Sequence, residues 1–113
     1  MDTNCINLVR ALNRLPGITT IESCEGHDRM PFKIWFIADS LDALIEPCYW
    51  VDPCHCGQHG WQIIAQTDCA MSPIKFRLEG PVGELAYEGA EEIARVINVA
   101  QDEMTLVDLD ERG

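Results

Sequence analysis

Apolar and polar positions change period several times along this chain, and each change marks an element. Over residues 3–15, Cys5, Leu8, Leu12 and Leu15 recur at helical spacing. Ile6 and Val9 widen that stripe, and Asp2 or Thr3 stands where an N-terminal cap belongs. Pro16-Gly17 stops the helix. Ile18 to Ser23 is rich in β-branched residues and predicts a strand, and Cys24 to Pro31 predicts a loop with Gly26 available for a tight turn. Phe32 to Ala38 is nearly all apolar, which predicts a central strand covered on both faces. Ser40 caps a second predicted helix with Leu41, Leu44, Ile45 and Cys48 on its buried face, and Pro47 is expected to end or kink it.

Residues 47–60 hold prolines, glycines and most of the Cys/His residues, and read as a loop. Trp61 to Asp68 alternates, and Ile74, Phe76 and Leu78 alternate with Lys75, Arg77 and Glu79, so two more strands follow, joined across residues 69–73. The longest predicted helix runs from Gly83 to about Asp102, burying Leu85, Gly89, Ile93, Val96, Ile97 and Ala100. Residues 103–113 form an acidic tail, either frayed or docked as a short strand through Leu106, Val107 and Leu109.

The order α-β-β-α-β-β-α predicts an α+β domain over residues 1–102, a four-stranded mixed sheet with helices packed on it. Strands one and two form a hairpin. A right-handed crossover through the second helix is expected to set strands two and three parallel, so that both begin at one edge of the sheet. Loops 24–31 and 53–60 then meet at that edge, and all three histidines lie in them.

Composition narrows the class. At 113 residues, with 47% hydrophobic and 24% charged residues, the chain has the make-up of one folded domain. Its net charge of −11 disfavours a nucleic-acid backbone or an anionic membrane as a direct partner. The excess is uneven: residues 81–113 carry two basic and nine acidic groups, and no Lys or Arg occurs from Ile34 to Ile74. An acidic surface of this kind either keeps a small protein soluble or faces a basic protein partner. A non-catalytic inhibitor or adaptor, of a phage-encoded kind, that blocks a basic, nucleic-acid-binding protein is therefore the alternative function class. The longest apolar run, Ile34 to Ala38, is far too short for a bilayer, and Met-Asp-Thr-Asn-Cys does not resemble a signal peptide, so a cytoplasmic location is expected.

In a reducing compartment six cysteines read as thiols and metal ligands rather than as disulfides. His27 stands three residues after Cys24, and His59 three after Cys56. Such spacing lets a turn bring two donors to one ion, and thiolate with imidazole is the donor set that zinc prefers. Cys24, His27, Cys54, Cys56 and His59 are therefore the candidate metal ligands, with Ser23, Gly26, Trp50 and Trp61 as candidate walls of a ligand pocket at the same edge. Cys5, Cys48 and Cys69 read as core residues. The competing chemistry is a nucleophilic thiol: Cys24 with His27, oriented by Glu25 or Asp28, or a redox pair at Cys54 and Cys56. Whether the protein is an enzyme stays open at this point. Gly80-Pro81-Val82-Gly83 lacks the Lys-Ser/Thr of a phosphate loop, and neither HExxH nor GxSxG occurs.

Residues 8–27, from Leu8-Val9-Arg10-Ala11-Leu12-Asn13 through Leu15-Pro16-Gly17 to Ser23-Cys24-Glu25-Gly26-His27, resemble a helix-strand-turn signature of small uncharacterised bacterial and phage proteins. More distantly they resemble the N-terminal part of the wybutosine-synthesis methyltransferase family, which acts on tRNA with S-adenosylmethionine. There the turn reads Ser-Cys-Ser-Gly-Arg. With His27 in place of that Arg and a net charge of −11, the resemblance implies a shared fold and a defined turn at Ser23, Cys24, Gly26 and His27 rather than methyl transfer.

Overall fold

A computed structural model describes residues 2–52, 59–66 and 74–112, the last seven of these as backbone. A 3-10 turn at Thr3–Cys5 leads into α1 (Ile6–Arg14), followed by β1 (Ile18–Cys24) and β2 (Pro31–Ala38). A second 3-10 turn (Asp42–Leu44) opens α2 (Ile45–Val51), and β3 (Gln62–Gln66), β4 (Lys75–Val82) and α3 (Glu84–Arg112) complete the chain. The architecture is α+β.

The four strands lie in the order β1-β2-β4-β3, and every pair is antiparallel. This corrects the expected mixed sheet with β2 beside β3. β4 is the better buried partner, with Leu78 fully enclosed, and takes the central place; β3, with Gln62 and Ala65 exposed, takes the edge. Because β2 and β3 are each antiparallel to β4, they still run in the same direction and begin at the same end of the sheet. Pro31 pairs with Val82, so β4 finishes and α3 starts at that end too.

β2 alternates strictly. Phe32, Ile34 and Phe36 are fully buried, whereas Lys33, Trp35 and Ile37 are half-buried on the other face, so the strand is covered by helices on one side only. On the open face Trp35 Nε1 and Arg77 Nη1 both donate to Gln66 Oε1, at 3.4 and 3.1 Å. The covered face carries the core. Leu8, Val9, Ala11 and Leu12 of α1 meet Ala86, Ala90, Ile93, Ala94 and Ile97 of α3 above Ile34, Phe36 and Leu78. Small residues on α3 permit close approach. Trp61 is sandwiched where a Cβ at Gly80 or Gly89 would lie 2.7 Å from its ring, and it meets Phe32 edge-on with centroids 5.4 Å apart.

Four expectations about the helices need correction. α2 buries Pro47 and Val51, one turn apart, and leaves Leu41, Ile45, Cys48 and Tyr49 exposed; of the predicted face Leu44 alone packs against the core, half-buried. Pro47 does not end α2, because it sits in the first turn, where its missing N–H has no helical partner to lose. α3 buries Ala86 rather than Leu85, and its backbone continues to Arg112 instead of stopping near Asp102. Among the described residues no helix is long and apolar enough to cross a membrane.

Candidate metal centre

The Leu15-Pro16-Gly17 turn folds α1 back along β1. The 3-10 residues Thr3–Cys5 at about 2.0 Å each and the nine residues of α1 at about 1.5 Å each rise about 20 Å together, and the six steps of β1 from Ile18 to Cys24 rise about 20 Å at 3.3 Å each. These lengths nearly match, so the residue before the first helical turn arrives beside the last residue of β1. Asp2 therefore lies against Cys24.

The hairpin turn supplies the third group. Gly26 has φ +85°, and its carbonyl accepts the backbone N–H groups of Arg29 and Met30, both at 3.0 Å. His27 (φ 51°) and Asp28 (φ 65°) follow in the same left-handed region, a conformation that costs a non-glycine residue about 1–2 kcal/mol. The cost is offset from α3. The Tyr87 hydroxyl donates to Asp28 Oδ1 at 3.1 Å and accepts the Asp28 backbone N–H at 3.2 Å. These contacts fix the turn so that His27 projects back toward Asp2.

One carboxylate oxygen of Asp2, the Cys24 sulfur and one imidazole nitrogen of His27 all lie within 4.8 Å of one another. Asp2 Oδ2 accepts the Glu25 backbone N–H at 3.0 Å and stands 3.6 Å from His27 Nε2. On the other side of the ring, His27 Nδ1 stands 3.7 Å from Glu25 Oε1. Glu25 is held in turn by the Asn4 side-chain amide, which donates to Oε2. The arrangement gives His27 one nitrogen toward the Asp2–Cys24 group and the other toward a carboxylate, the relation by which an outer carboxylate orients a ligating imidazole.

The other candidate residues are dispersed. His59 is exposed and outside this group, while Cys54, Cys56 and Cys69 lie outside the described residues. Trp61 is a core residue, and Trp50 is half-buried, edge-on to Tyr49 with centroids 4.7 Å apart. Ser23 is on the strand beside the group, with its hydroxyl facing the Cys5 thiol. Cys48, expected in the core, is exposed. Asp2 is the residue that sequence reasoning missed. The readable signal was the length match of helix and strand about Pro16-Gly17, which pairs residue 2 with residue 24.

Cys5, fully enclosed beneath the site, has its thiol pushed up from 9.0 to about 11, chiefly by burial, with the Asp2 and Glu25 charges adding and the Ser23 hydrogen bond opposing. A thiol held neutral in the fold contributes stability that is complete below pH 9 and is lost as pH rises toward 11. Denaturation between pH 8 and 11 is expected to show a steeper fall for the native chain than for Cys5→Ala. Parallel slopes for the two proteins contradict the assignment.

No family model, curated protein or solved structure matches this chain.

Proposed function

We propose that the chain is a metal-binding domain that holds a divalent transition-metal ion at Asp2, Cys24 and His27, with zinc favoured by the donor set. The observation that carries this reading is the convergence of three different donors, from two separated segments, within 4.8 Å. Carboxylate, thiolate and imidazole together suit zinc, whereas calcium and magnesium select oxygen alone. Three protein ligands leave a fourth position for water or a small ligand, as at catalytic rather than structural zinc sites. His27, with 66% of its side chain exposed, forms the solvent side of the group and leaves that position accessible. The reading requires a reducing compartment, where Cys24 remains a thiol free to bind.

Cobalt(II) titration of the full chain tests it. The expected result is one equivalent of cobalt with thiolate charge-transfer absorption and the strong visible bands of a four-coordinate ion, displaced by zinc. Cys24→Ser is expected to abolish the charge-transfer band, and His27→Ala to weaken zinc binding about 100-fold, with Asp2→Ala nearer tenfold. Absence of the thiolate band in the native chain, or an unchanged affinity in His27→Ala, overturns the proposal.

A further inference from the structure

The sheet end opposite the His27 turn carries a second feature that the metal reading does not use. Leu41 is 80% exposed, Ile45 65% and Tyr49 46%, at four-residue spacing on the outward side of the second 3-10 turn and α2. Such a run of exposed large apolar side chains marks an interaction surface. Two cavities flank Ser40. One, of about 270 Å³, is apolar and lined by Ile37, Ala38, Leu41, Ile74 and Phe76. The other, of about 330 Å³, is lined by Asp39, Asp42 and Glu46 against Pro16, Gly17 and Ala43. Among the described residues none of these three carboxylates has a cationic side chain in salt-bridge reach.

We infer that this end of the molecule docks a basic amphipathic segment of another protein, its apolar anchors on Leu41, Ile45 and the apolar cavity and its Lys or Arg side chains in the acidic one. Charge selects the occupant. The charged side chains lining the second cavity, Asp39, Asp42 and Glu46, are all acidic, and no Lys or Arg occurs between Ile34 and Ile74. A second copy placed on this face sets Asp42 and Glu46 against their own counterparts, whereas a cationic helix meets both the stripe and the carboxylates. The surface is at the far end of the strands from Cys24 and His27, so the inference stands independently of metal binding.

The test uses a fluorescent synthetic helix with Leu at i, i+3, i+4 and i+7 and Lys on its flanks, against the full chain. The native chain is expected to bind it, with amide chemical-shift changes concentrated in residues 37–49. Replacing the peptide Lys by Glu, or its Leu by Ser, is expected to cost at least about tenfold in affinity. Leu41→Ser with Ile45→Ser is expected to weaken binding by a similar factor, and Asp39→Asn with Asp42→Asn to weaken it and flatten its salt dependence. All four positions are on the surface, and unchanged melting temperatures show that the variants fold. Equal binding of the Lys and Glu peptides overturns the inference, as do shift changes confined to α3. A dimer in sedimentation that Leu41→Ser with Ile45→Ser dissolves assigns the face to a second copy instead.

Discussion

Gly26→Ala is expected to destabilise the protein by about 3 kcal/mol or more, while Gly60→Ala costs only about 1 kcal/mol. Both glycines have nearly the same positive φ, +85° and +86°, so the conformational penalty of a side chain is common to the two. They differ in the space around them. Among the described residues the atoms nearest a Cβ at Gly60 belong to Pro81, from 3.7 Å, an ordinary contact. At Gly26 it would stand 2.0 Å from the Met30 carbonyl oxygen and 2.8 Å from its carbon, which are backbone atoms with no rotamer to yield. Relief requires opening the turn, and that breaks the two hydrogen bonds that the Gly26 carbonyl accepts. A domain of this size has roughly 5–15 kcal/mol of stability in total, so the loss is a large fraction of it. The same opening removes His27 from Asp2 and Cys24, so the proposed metal site is expected to be lost together with stability. Urea titration of the two variants supplies the difference, and equal losses at both positions refute this steric account.

That turn also shows where sequence reading succeeds and where it stops. The Ser-Cys-Glu-Gly-His run was legible as a tight turn because glycine, with short polar neighbours, is what a left-handed backbone requires. Cys24 and His27 could be paired as donors for the same local reason. The α+β order was legible because hydrophobic period reports each element separately. What failed depended on partners distant in sequence. β4 displaces β3 from β2 because Leu78 is better enclosed at the centre than any β3 residue, a comparison between elements that no single pattern contains. Leu41, Ile45 and Cys48 looked like a core stripe, and only the competing pair Pro47 and Val51 shows that α2 turns its other side inward. Asp2 was hidden for a further reason. As an expected cap it already had a local role, but its carboxylate makes no capping bond and serves the Glu25 N–H and the Cys24–His27 group instead.

Phe32→Ala is expected to cost about 3–5 kcal/mol, the range for truncating an enclosed aromatic side chain. Phe32 is fully buried, one residue into β2, at the sheet end that carries the Asp2–Cys24–His27 group. Its ring meets Trp61 edge-on, and Trp61 is itself pinned by Gly80 of β4 and Gly89 of α3. The contacts of Phe32 thus link the strand that leaves the His27 turn, the residue that enters β3, and the helix whose Tyr87 clamps Asp28. Collapse into the vacated space is restricted because two glycines already bring the backbones to their closest approach around Trp61, so most of the cavity persists. Phe76 offers a contrast of the same chemistry. It stacks on Phe36 with centroids 5.6 Å apart but is only half-buried at the opposite end, so Phe76→Ala is expected to cost about 1–2 kcal/mol. Chemical denaturation followed by tryptophan fluorescence gives both values, with Phe32→Ala also shifting the native emission because Trp61 loses its neighbour. A loss below that of Phe76→Ala contradicts the role given to Phe32 as the anchor of the site end. If both the anchor role and the proposed zinc site hold, zinc binding to Phe32→Ala weakens although Asp2, Cys24 and His27 are untouched.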